Sequence, residues 1–164
     1  MCLGKGFQEM SKEKRYNTLD EVYISPFTTA RHYDENGKAI YKPLERNLHP
    51  TGLYAANYLL QSLTAGENRL KSIANHLGCS DRDLSGFIRC LTGQPSHDFL
   101  VAYRLRLIDD LLRFTSLTLP EVAQRSGLGT ARSLHRFVLR NRGCTPSDRR
   151  QQIRQLGDEG RFGL

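Results

Sequence analysis

Two stretches decide the fold: LKSIANHLGCSDRDLSGFIRCLTGQPS, residues 70–96, and LPEVAQRSGLGTARSLHRFVLRNRGCTPS, residues 119–147. Laid over one another they repeat. Ile73-Ala74 matches Val122-Ala123, and a glycine follows five residues after Ile73 and Val122, at Gly78 and Gly127. Ser80 and Thr130 stand where an N-cap is needed, and Leu84 and Phe87 match Leu134 and Phe137. Gly93 and Gly143 each follow the matched Leu by nine residues, and a Pro-Ser pair comes next in both. Each unit reads as a short helix, a tight glycine turn and a second helix, which is a helix-turn-helix. The small Ala74 and Ala123 let the second helix cross close over the first. Gly78 and Gly127 supply the left-handed backbone that such a turn requires. Leu84 and Leu134 plug the angle between the helices.

The second unit carries a charge pattern. Arg132, His135 and Arg136 fall at i, i+3 and i+4, so a helix puts them on one face. Leu134, Phe137 and Val138 fall largely on another. The chain of 164 residues has net charge +7, unevenly placed. Residues 1–47 hold 8 basic and 7 acidic side chains, and the rest hold 16 and 10. Fifteen of those 16 are Arg, with Lys71 the exception. Residues 125–154 hold eight Arg and one acid, Asp148. Guanidinium forks suit phosphates and guanine edges, so this excess points to a nucleic-acid surface.

Between the two units, SHDFLVAYRLRLIDDLL carries an apolar stripe of Phe99, Leu100, Tyr103, Leu107, Ile108, Leu111 and Leu112, a long connecting helix. Arg104 and Arg106 on it read as structural or surface residues. Upstream, TGLYAANYLLQSL has Leu53, Ala56, Leu60 and Leu63 at helical spacing, with Gly66 to stop it. Thr118 with Glu121, and Ser80 with Asp83, have capping-box spacing. Residues 1–47 are weakly patterned. Asn36-Gly37 between Tyr33 and Ile40-Tyr41 suggests a hairpin, and EVYIS, Glu21 to Ser25, suggests another short strand. A loosely ordered arm is the equal alternative. Forty-seven residues are too few for an independent ligand-binding domain. The tail after Asp148 reads as the end of a last helix and a frayed terminus.

Other classes find little support. Cys2, Cys79, Cys90 and Cys144 include no Cys-x-x-Cys, and His76 and His97 beside them do not make paired zinc ligands. A disulfide framework is not expected at this density. Gly4-Lys5-Gly6 lacks the Lys-Ser/Thr of a phosphate loop. No catalytic constellation, metal or cofactor is expected. There is no apolar run of membrane length and no signal-peptide core, so the expected location is the cytoplasm.

At these residues the sequence resembles the DNA-binding domain of the AraC/XylS transcription regulators. The resemblance covers about residues 50–152 and rests on SIANHLGCSDRDLSGFIRCLTG, FLVAYRLRLIDDLL and TLPEVAQRSGLGTARSLHRFVLRNRGCTPSDRR. It implies an all-α fold of seven helices, with two helix-turn-helix subdomains bridged by a long connecting helix. The expected division is an N-terminal extension of unknown role over 1–47, the DNA-binding domain over 48–152 and a C-terminal tail over 153–164. Within the domain, the units lie at about 69–92 and 118–142, with the connecting helix at about 96–114. The extension is allowed a small β-hairpin.

The resemblance further implies that the two recognition helices enter successive major grooves of double-stranded DNA. Base-reading positions fall at Arg82, Ser85 and Gly86 in the first unit and at Ala131, Arg132, His135 and Arg136 in the second. Arg89, Arg140 and Arg142 are the implied phosphate contacts, with the helix N-termini. Gly86 has no side chain to read with, and Asp81 and Asp83 flank Arg82 and repel phosphate. The second unit is therefore expected to dominate. The implied protein is a transcription regulator, in keeping with family activators, monomeric on DNA and without a built-in small-molecule sensor. The rival reading is a protein-interaction modulator of transcription, binding RNA polymerase or another regulator, that kept the fold and lost most base reading. A sequence-independent DNA coat is a third.

Overall fold

The computed structural model describes residues 16–67, 69–155 and 162–163. In chain order it holds α1 (Leu19–Val22), β1 (Thr29–Tyr33), β2 (Ala39–Pro43), α2 (Tyr54–Thr64), α3 (Leu70–Leu77), α4 (Asp81–Thr92), α5 (Ser96–Phe114), α6 (Leu119–Arg125), α7 (Ala131–Arg142), α8 (Pro146–Arg154) and β3 (Phe162–Gly163). Helices α2 to α8 are the seven the sequence implies.

Local chemistry sets the boundaries. Ser80 caps α4, Thr118 caps α6 and Thr145 caps α8, each in a reciprocal capping box with the acid three residues on. Thr130 caps α7 through the Ser133 N–H. Gly78 and Gly127 adopt φ of +70° and +71°, as the turns demand. Helix α2 starts one residue later than its apolar spacing suggests. Leu53 is its N-cap and is exposed, because the buried stripe runs through Ala56, Leu59, Leu60 and Leu63.

Two apolar cores share one helix. The first gathers Leu59, Leu60, Ile73, Ala74, Leu84, Ile88, Phe99 and Tyr103. The second gathers Leu107, Ile108, Leu111, Leu112, Val122, Ala123, Leu134, Val138 and Ile153. The N-terminal half of α5 thus serves one unit and its C-terminal half the other. Both interhelical plugs are buried, Leu84 and Leu134.

Two expectations for the termini change. EVYIS is not a strand. Thr18 and Glu21 form a capping box that starts α1, and the chain is extended only from Tyr23. The tail does not simply fray after α8, since Phe162–Gly163 pairs antiparallel with β1 in a sheet of order β2-β1-β3. The hairpin at Asn36-Gly37 is present, with Arg31 opposite Tyr41 and Tyr33 opposite Ala39. Residues 1–15, including Cys2 and the Gly4-Lys5-Gly6 stretch, lie outside the described residues, as do 156–161 of the tail.

The extension is not separate from the helices. Val22 and Ile24 sit in the first core. The Ile24 N–H donates to the Tyr103 hydroxyl oxygen at 3.2 Å, and that hydroxyl lies 2.7 Å from Thr64 Oγ1. Phe27 packs edge-on against Phe114 at 5.6 Å. Arg106 reaches Asp20 and Asp110, both at 3.6 Å, and lies over the Tyr23 ring. No packing boundary falls at residue 47.

Candidate nucleic-acid interface

The site is built on α7 first. Because Leu134 and Val138 are buried, the opposite side of this helix must face out. Arg132, His135, Arg136 and Arg140 are all exposed there. Leu139, 45% exposed, completes the strip at i+7 from Arg132. Its spacing from Arg132 places it on that face in the sequence too, but the charge pattern alone does not single it out. An exposed leucine between arginines can contact a thymine methyl, which polar readers cannot. Ala131 is half-buried at the first turn. No acid occurs on α7.

Helix α4 presents the equivalent strip with different chemistry. Arg82, Gly86, Arg89 and Cys90 are exposed at matching positions. Ser85 is half-buried, and its hydroxyl accepts from Ser96 Oγ at 3.3 Å, so it is turned toward the start of α5. A Cβ on Gly86 would meet nothing within 4 Å, so the missing side chain is not forced by packing. Asp81 and Asp83 balance Arg82 and Arg89 within the helix. The Asp83 carboxyl is held below the usual carboxylate range by hydrogen bonds from the Ser80 hydroxyl and N–H. That acid stays ionised at neutral pH as a cap, beside Arg82.

The Arg-rich segment divides in two. Arg142 donates to Asp109 at 3.0 Å, and Arg149 binds the same carboxylate through Nε and Nη2 at 2.9 and 2.6 Å. Arg142 is thus tied to α5 through Nη2 while its side chain stays partly exposed. Arg149 has its guanidinium pKa raised by that carboxylate. Arg150 donates to the Leu117 carbonyl and Arg154 to the carbonyls of Leu112 and Thr115. Arg154 thereby satisfies carbonyls at the C-terminal end of α5, where a helix has no donors of its own, and Arg150 serves the segment that leads to α6. Arg104, on α5, lies over the Phe137 ring at 5.5 Å, and burial pulls its guanidinium pKa down. The outward cations of this half are therefore concentrated on α7.

Among the described residues, no group of three His, Cys, Asp or Glu could hold a metal ion, and Cys79, Cys90 and Cys144 are free thiols. Among the described residues, no helix is long and apolar enough to cross a membrane.

Two glycine-turn units on one shared helix, each with an exposed second helix, define a tandem helix-turn-helix domain. Residues 73–152 match the family described as a helix-turn-helix domain. Three solved structures share the fold. The C-terminal domain of the two-component response regulator yesN from Fusobacterium nucleatum is 24% identical, at TM-score 0.52, over 58% of this chain and 93% of that one. The C-terminal domain of AraT, a response regulator from Geobacillus stearothermophilus, is 26% identical, at TM-score 0.53, over 60% and 81%. The DNA-binding domain of AdpA, a global transcriptional factor solved with a target DNA, is 23% identical, at TM-score 0.54, over 63% and 95%. No curated protein matches the chain.

Proposed function

We propose that the protein is a sequence-specific DNA-binding transcription regulator that sets α4 and α7 into successive major grooves, with α7 supplying most of the affinity. The observation that carries this is the exposed strip Arg132, His135, Arg136, Leu139 and Arg140, on a helix without an acid. Arg132 and Arg136 are the base readers, each able to donate two bonds to a guanine edge, worth about 1–3 kcal/mol of discrimination. His135 reads an acceptor or a phosphate, and Arg140 and Arg89 contact phosphate. The solved relative held on a target DNA supports the same partner here. The neutral α4, with Ser85 turned inward, supports a weaker first unit.

The test is equilibrium binding to a preferred duplex at several salt concentrations. Arg132→Ala and Arg136→Ala should each relax preference at individual base pairs. Arg140→Ala should weaken all sequences alike and reduce the salt slope by about 1. Arg82→Ala should cost less than either α7 reader. Unchanged preference and affinity in both α7 reader variants would overturn the assignment of that face. Absence of any salt-dependent DNA binding would favour a protein-interaction module instead.

A further inference from the structure

A cleft of about 470 Å³ opens between α2, α5 and the end of α6. One wall is the C-terminal half of α2, and the other is Arg125 at the end of α6. Leu107 and Leu111 of α5 form the floor. The extension supplies Pro26, Thr28 and Arg46, and Leu48 follows it. Its size lies within the range of small-molecule sites.

The lining is apolar with two guanidinium groups and no carboxylate. Arg46 donates through Nη2 to the Ser25 carbonyl at 2.8 Å, which fixes its side chain. Its Nε is buried without a hydrogen-bond partner. Arg125 has one acid on its own helix, Glu121, with which it interacts electrostatically without an ion pair, that carboxylate accepting from the Thr118 N–H and hydroxyl at 2.7 Å each. Thr64 is on the wall, but its hydroxyl is already taken by Tyr103 and backbone carbonyls. The arginines are therefore the groups available to a ligand's charge.

We propose that this cleft binds a small organic acid, with one carboxylate between Arg46 and Arg125 and an apolar body against Leu48 and Pro26. Planar guanidinium forks match a carboxylate in charge and geometry. The walls come from α2 and α6, so occupancy biases how the second unit sits against α2 and, by linkage, how it binds its partner. That consequence rests on the DNA-binding reading, whereas the site itself does not.

The test is calorimetric titration of the full chain, without DNA, using 2-naphthoate and its neutral analogue 2-naphthamide. Saturable binding of the acid is expected, with the amide weaker by about tenfold or more. Arg125→Gln, which leaves the Arg46 anchor intact, should weaken the acid by about tenfold. Arg46→Gln should do the same, with its thermal melt recorded to separate loss of binding from loss of fold. No saturable binding of the acid, equal binding of acid and amide, or wild-type affinity in Arg125→Gln would each overturn the proposal. Failure of DNA binding with the acid still bound would contradict the regulatory reading and leave the site standing.

Discussion

Replacing Gly66 by alanine tests whether the two units are held together by more than α5. Gly66 lies in the turn between α2 and α3 at φ +87°. A Cβ there would stand 2.7 Å from the Arg125 carbonyl oxygen and 3.2 Å from the Gly127 nitrogen, both backbone atoms of the turn between α6 and α7. Gly78, at φ +70°, offers the control, since a Cβ there meets nothing within 4 Å. Both substitutions incur the left-handed cost of a side chain, about 1 kcal/mol. Only Gly66→Ala must also move backbone against backbone, which adds about 1–3 kcal/mol by the usual cost of overpacking. Urea unfolding followed by circular dichroism should therefore show a loss of about 1 kcal/mol for Gly78→Ala and about 2–4 kcal/mol for Gly66→Ala. On DNA, Gly66→Ala should weaken a bipartite site more than an isolated half-site, because it alters the placement of one unit against the other. Losses for the two variants that agree within about 0.5 kcal/mol would refute the reasoning.

Asp109→Asn should destabilise the fold by about 1–3 kcal/mol, a range reduced from three full charge-assisted bonds because Arg142 and Arg149 are partly exposed. Denaturant unfolding measures it, and Arg142→Ala should cost little more once Asp109 is gone; a large added loss would show that Arg142 stabilises the fold some other way. Acid should expose the caps. Asp83 and Glu121 have folded pKa values depressed by hydrogen bonds from Ser80 and Thr118, so their contribution is complete above the ordinary carboxylate range and lost as pH falls through the depressed values. Melting temperature should drop as pH falls, and the Asp83→Asn, Glu121→Gln double variant should drop less; an identical profile would show that the caps add nothing.

What the sequence made legible was local. A cap, a glycine turn and a buried leucine at fixed spacing each act over a few residues, so both units and the connecting helix fall where their motifs place them. The four-residue α1 was missed although Thr18 and Glu21 repeat the spacing found at Thr118 and Glu121, because no apolar periodicity followed it. The pairing of Phe162–Gly163 with β1 joins opposite ends of the chain, and no local rule contains it. Charge counting misled in an instructive way. The eight arginines of 125–154 look like one basic surface, yet Arg142 and Arg149 bind Asp109, Arg154 caps the end of α5 and Arg150 binds the Leu117 carbonyl. Composition records a charge without recording where its fork points. The candidate readers Arg132, His135 and Arg136 were legible because a helical face follows from spacing alone. The inward turn of Ser85 depends on a neighbour brought in by the fold, Ser96 at the start of α5.

The most direct test of the central claim is selection of bound duplexes from a random library, followed by sequencing. Two preferred blocks about one helical turn apart, with the stronger one lost in Arg132→Ala or Arg136→Ala, are the expected result. A bound pool with no preferred sequence, or one whose stronger block depends on Arg82 and not on α7, would contradict it.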